Sequence, residues 1–137
     1  MKIRNLLSIT ALTLIAGVAF AGLVQPAVVF IDEANMFAQG DMWTARTANN
    51  DVEFIGCGIR VFDDGASPPL FFGFCQAQDS AEVLIVCSTF SADLVEAIKG
   101  ISDTSFLTFS WNASFDCTRI GTSTQSFYLP KFKTKTN

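Results

Sequence analysis

Four cysteines, Cys57, Cys75, Cys87 and Cys117, stand in a chain of 137 residues that contains no histidine. Without imidazole, a zinc site would need all four thiolates, at separations of 18, 12 and 30 residues that match no compact zinc module. No spacing is C-x-x-C. The same absence removes Ser-His-Asp and Cys-His catalysis and histidine general bases. In an exported chain of this size, four cysteines read as two structural disulfides. Each is expected to contribute ~3 kcal/mol by constraining the unfolded chain.

Disulfides call for an oxidising compartment, and the N-terminus supplies the route to one. Lys2 and Arg4 are followed by an uncharged stretch from Leu6 to Phe20, and Ala19-Phe20-Ala21 provides an A-x-A cleavage site. Residues 1–21 therefore read as a secretory signal peptide. The uncharged stretch continues to Ile31, long enough to span a bilayer at ~20 residues, but Gln25 and Pro26 interrupt it. No transmembrane span is expected after cleavage. No cysteine lies near the cleavage site, which excludes a lipid-modified N-terminal cysteine. The expected location is the periplasm, the cell surface or the medium.

Cleavage changes the charge balance. Nine basic and thirteen acidic residues give −4 for the whole chain; losing Lys2 and Arg4 leaves seven against thirteen, or −6. Lys131, Lys133 and Lys135 fall in the last seven positions, so residues 22–130 carry four basic and thirteen acidic groups, or −9. Residues 131–137 form a basic tail on an acidic body, and that body argues against nucleic acid as a partner. A hydrophobic content of 50% excludes intrinsic disorder, and the length provides for one small core.

Punctuation and period give the organisation of the rest. Residues 22–51 form an irregular N-terminal segment, with an edge strand at Ala27 to Ile31 and a helical turn starting at Asp32. A β-rich domain occupies 52–130. Val52 to Phe62, Leu70 to Ala77 and Val83 to Thr89 read as three strands, separated by the turn Asp63 to Pro69 and the polar link Gln78 to Glu82. Apolar residues occupy both parities in all three, as in a sheet covered on both faces.

One short helix near 91–100 would provide the second cover. Ser91 suits an N-cap, Asp93 and Glu96 lie near the positive end of the dipole, Lys99 near the negative end, and Gly100 at C′. Leu94, Val95, Ile98 and Ile101 make a narrow apolar stripe. Strands then resume at Phe106 to Trp111, Phe115 to Ile120 and Thr124 to Leu129. The sum is a small α+β fold: an antiparallel sheet of five to six strands, one short helix and disulfides. A first turn centred on Ala66 sets Cys57 opposite Cys75, whereas a second turn centred on Ala81 sets Cys75 opposite Cys87. The reading favours Cys57–Cys75 with Cys87–Cys117, and the second register stays open.

Motifs for chemistry are sparse. Gly56-Cys57-Gly58 lacks the third glycine and the helix of a dinucleotide fingerprint, and instead suits close backbone packing or a bulge. Asp63 and Asp64 lack the spacing of a calcium loop. Asn112-Ala113-Ser114 matches the glycosylation triplet. Asp51, Glu53, Glu82, Asp93, Glu96 and Asp116 are the carboxylates available for acid–base work, and no spacing selects a pair. Neither a metal, nor a cofactor, nor an enzymatic activity is expected.

Aromatic residues carry the remaining hypothesis. Phe71 and Phe72 on adjacent strand positions must point to opposite faces. Trp43, Trp111, Tyr128 and Phe72, with Ser/Thr-rich strands between Ser102 and Ser126, are the candidate binding surface for a protein or glycan at the cell surface. The function expected is a small exported module that binds a partner or assembles at the envelope. The alternative is a secreted inhibitor or effector presenting a rigidified loop at Asp63 to Pro69.

Overall fold

Two antiparallel sheets packed face to face organise the computed structural model, which describes residues 22–130. The signal peptide read at 1–21 and the basic tail at 131–137 lie outside the described residues. In chain order the elements are β1 (Phe30–Asp32), β2 (Phe37–Asp41), α1 (Met42–Arg46), β3 (Phe54–Phe62), β4 (Leu70–Gln78), β5 (Leu84–Thr89), α2 (Ala92–Lys99), β6 (Phe106–Trp111) and β7 (Cys117–Ser123). One sheet has the order β1-β2-β6-β7 and the other β3-β4-β5. The expected class, a small antiparallel β domain with one main helix and two disulfides, is the class observed, with seven strands divided between two sheets.

The three-stranded sheet follows its sequence closely. Cys57 pairs with Cys75 in the β3–β4 register, and Cys75 pairs with Cys87 in the β4–β5 register. Both registers read from the turns therefore coexist, because they describe the two sides of one central strand. Three cysteines form a row across the sheet. Cys57 and Cys75 are joined within the row, Cα atoms 4.0 Å apart, and Cys87 leaves it to join Cys117 at the start of β7. That second bond ties one sheet to the other, next to a bridge in which the Ser88 N–H donates to the Phe115 carbonyl at 3.0 Å.

The core lies between the sheets. Ile55, Cys75, Ala77, Ile85 and Cys87 from one side meet Leu107, Phe109, Trp111 and Ile120 from the other. Helix α2 adds Val95 and Ile98, each worth ~1.5–3 kcal/mol when buried. It packs on the same inner face: a Cβ placed on Gly73 would lie 2.8 Å from Ile98 Cδ1, so a larger residue there would force the Ile98 side chain or the helix to shift. Ser91 occupies the N-cap position without a side-chain cap bond, and Gly100 is the C-cap in a right-handed conformation.

Several expectations need correction. The segment 22–51 is not an irregular preamble: β2 lies between β1 and β6, paired from Phe37↔Ser110 to Asp41↔Phe106. Its FAQGD sequence has little strand character, and pairing with β6 imposes the conformation. The expected helical turn at Asp32 is the β1–β2 turn, closed by the Asn35 N–H donating to Asp32 Oδ1 at 2.9 Å. The strand expected at Thr124 to Leu129 is absent; a 3-10 turn spans Ser126–Tyr128. The helix does not cover a second face of the three-stranded sheet, whose outward side stays open.

Asp41 secures the N-terminal segment. Its carboxylate is fully buried and accepts from the Ala27 N–H and, as N-cap of α1, from the Thr44 N–H, each at 2.6 Å. Asp41→Ala leaves two donors without partners, and Asp41→Asn offers one amide oxygen to both. Both substitutions are expected to cost about 2–4 kcal/mol in chemical denaturation; a loss below 0.5 kcal/mol for Asn, about the level of an ordinary surface change, would contradict this role.

The cysteine row generates a second expectation. Cys57→Ser frees Cys75 beside Cys87, so a non-reducing peptide map after oxidative refolding should contain Cys75–Cys87 alongside Cys87–Cys117. The double variant Cys57→Ser, Cys75→Ser should contain only Cys87–Cys117 and lose about 3 kcal/mol.

Candidate functional site

The residues singled out for binding separate into three environments. Trp111 is 6% exposed and packs on Phe109 with ring centroids 6.0 Å apart. It points inward from β6, together with Leu107 and Phe109, and belongs to the core rather than to a surface.

Trp43 and Tyr128 come together. Trp43, on α1, is 41% exposed and lines a cleft of about 480 Å³ with Pro26, Val28, Phe127 and Tyr128. Tyr128 lies nearly parallel to Phe106, 5.2 Å away, and meets Phe127 edge-on at 4.5 Å. The Gln25 N–H donates to the Phe127 carbonyl at 2.9 Å, fixing one wall of the cleft. Beyond Phe106, the outer side of the four-stranded sheet is mixed: Arg119 donates to Thr108 Oγ1 at 3.2 Å, and Phe30 packs on Phe37 with ring centroids 5.8 Å apart.

Phe72 lies elsewhere, on the outer face of β3-β4-β5. Strand parity sends Gly73, Cys75 and Ala77 inward and buries them, while Leu70, Phe72, Phe74, Gln76 and Gln78 point outward. The registers place Gly58 beside Phe74 and Ser88, and Gly56 beside Gln76 and Val86. Phe72 contacts Phe74 and Phe90 at centroid distances of 6.2 and 5.4 Å. The Arg60 guanidinium covers the Phe74 ring at 4.9 Å. A Cβ on Gly58 would sit 2.7 Å from Phe74 Cζ, so the ring lies over the glycine backbone.

No outward residue of these strands is buried, and Phe62 and Phe90 are 61% and 64% exposed. The three strands contain no Asp or Glu. Sequence reading found Phe72 but missed Phe54, Phe62, Phe74, Val86 and Phe90. Their signal was present in the apolar residues at both parities, which report that both faces are apolar without saying what lies against them.

The carboxylates do not assemble into one site. Asp51, Glu53 and Asp103 line a depression of about 420 Å³ with Arg46, whereas Glu96 pairs with Lys99 at 2.8 Å on α2. Asp116 accepts from the Asn112 side-chain amide at 3.0 Å, and the Asn112 oxygen accepts from the N–H groups of Ser114 and Asp116. The glycosylation triplet is thus built into the β6–β7 turn. Among the described residues no group of three or more His, Cys, Asp or Glu is arranged to hold a metal.

The β3–β4 loop is exposed throughout. Asp64 Oδ1 accepts from the N–H groups of Ala66 and Ser67 at 3.0 Å each, and Gly65 adopts a left-handed φ of 71°. The Ala66 bond, then the Ser67 bond, hold the Asp64 carboxyl below its ordinary range. Such a depressed group orders the loop fully above the unfolded value, and the contribution is lost as pH falls through the folded one. The Ala66 and Ser67 amide shifts in NMR should therefore titrate together below about pH 4. Asp64→Asn should abolish that titration; its persistence would assign the transition to another group.

No family model matches this chain, and neither curated proteins nor solved structures provide a match, so these surfaces rest on their own geometry.

Proposed function

We propose that the chain is an exported, non-enzymatic module that works by presenting the outer face of β3-β4-β5 to a partner at the cell envelope or surface. The uncovered aromatic face is the observation that supports this reading. Burying large apolar groups is the main source of folding stability, and a monomer gains by covering them. A face that keeps Phe54, Phe62, Leu70 and Phe90 in water gains that stability only by association. Two disulfides suit an oxidising compartment, and among the described residues no helix is long and apolar enough to cross a membrane.

An inhibitor or effector is the second reading, favoured by the β3–β4 hairpin. The Cys57–Cys75 bond staples its base and the aspartate turn bonds hold its exposed loop, which lowers the entropy lost on insertion into a target. Replacing Pro68 and Pro69 would weaken binding under this reading and leave it unchanged under the first.

The test begins with the intact mass of the exported protein. A species starting at Gly22 that takes up four alkyl groups only after reduction is expected; a full-length species with free thiols would overturn the export premise. Wild type and Phe62→Asp, Phe90→Asp protein are then compared for retention on the envelope and for mass in solution. Wild type should be retained or self-associated, and the variant released as a monomer. Monomeric wild type released into the medium at every concentration would overturn the proposal, as would activity on glycosidic or ester substrates that an Asp→Asn change abolishes.

A further inference from the structure

We infer that the occupant of the outer face of β3-β4-β5 is a second copy of this chain, packed sheet against sheet about a two-fold axis; this rests on the reading above that the face is an association surface. The first argument is area. Phe54, Phe62, Leu70, Leu84, Val86 and Phe90 are 36–64% exposed, which at roughly 200 Å² per large apolar side chain is about 600 Å² on each copy. That equals or exceeds the largest apolar patch of an ordinary monomer, about 300–600 Å². Two such faces bury over about 1,000 Å² together before Phe72, Phe74 and the glutamines are included, enough for a stable interface.

Charge gives the second argument. Residues 22–130 carry thirteen acids against four basic groups, so two copies repel over most approaches. The twenty-four residues of β3, β4 and β5 contain no acid and one cation, Arg60, already engaged over Phe74. This is the face on which like can meet like. An acidic partner would find one cation, Arg60, and a glycan would find few hydrogen-bonding groups: Arg60, Gln76, Gln78 and Ser88.

Shape gives the third. Gly56 carries no side chain, and a Cβ built there meets nothing within 4 Å. With the Phe74 ring lying over Gly58, Gly56 leaves a shallow gap on β3 between that ring and Phe54, while Phe72 and Val86 project from the neighbouring strands. A two-fold axis allows a projecting apolar side chain of each copy to enter the other copy's gap, in the aligned packing that twisted sheets adopt about 10 Å apart.

Gly56 also provides the test, because Gly56→Lys places a charge on the face without displacing a neighbour. Oxidised exported protein is measured by analytical ultracentrifugation from micromolar to near-millimolar concentration, with Val86→Lys as a second face variant and Val28→Lys, in the Trp43 cleft, as control. Wild type and Val28→Lys should move from monomer to dimer with concentration. Both face variants should weaken the dimer at least tenfold, the expected effect of losing about 1.4 kcal/mol within the interface, with unchanged circular dichroism. Dimers of undiminished affinity in both folded face variants, or loss of dimer only in Val28→Lys, would overturn the inference. Monomeric wild type that is still retained on the envelope in a Gly56→Lys-sensitive manner would overturn the second copy and leave the association surface standing. Monomeric wild type without retention would overturn both.

Discussion

The Cys87–Cys117 bond is the constraint on which the rest of the arrangement depends. β3-β4-β5 and β1-β2-β6-β7 share no continuous ladder, so backbone hydrogen bonding alone does not fix one sheet against the other. The disulfide, with the Ser88–Phe115 hydrogen bond beside it, sets where β5 meets β7. From that point inner-face parity decides the core: Ile85 and Cys87 turn toward Phe109 and Ile120, and α2 follows β5 onto the same side. Removing a bond of this kind costs more than its ~3–4 kcal/mol of unfolded-state entropy when it also aligns two layers.

Placing the helix inside has a consequence outside. α2 and the four-stranded sheet both lie against the inner face of β3-β4-β5, so nothing in residues 22–130 is left to cover the outer one. The outer face nevertheless carries large apolar residues on all three strands, where a solvated antiparallel sheet usually places polar groups. The other sheet is mixed on its outer side, with Gln39, Thr108, Ser110 and Arg119 beside the packed pair Phe30 and Phe37. The breadth of that apolar cover, with no acid in any of the three strands, distinguishes the outer face of β3-β4-β5.

Much of the fold was legible in advance because local chemistry and tertiary packing agree. β4 and β6 were read within one residue, and α2 lay inside its expected span, since β-branched runs, turn residues and a narrow apolar stripe each reflect forces acting within a few residues. β2 escaped notice because FAQGD acquires strand geometry from β6, 65 residues away at the Asp41↔Phe106 pair and 73 at the Phe37↔Ser110 pair. Trp111 looked like a surface aromatic because alternation along Phe106 to Trp111 gives two faces without saying which is inner. Of the candidate site, one residue, Phe72, was placed on the face that proved open.

By itself the sequence determined the number of crosslinks, the acidic character, the exclusion of imidazole chemistry and the positions of the main strands, all of which depend on residue identity and near neighbours. The tertiary structure settled the cysteine pairing that the sequence favoured but left open, and alone decided which side of a doubly apolar sheet receives the helix and which aromatics remain in water. Those choices turn on contacts between segments far apart in the chain, and an apolar residue is written the same way whether its cover is its own core or another molecule.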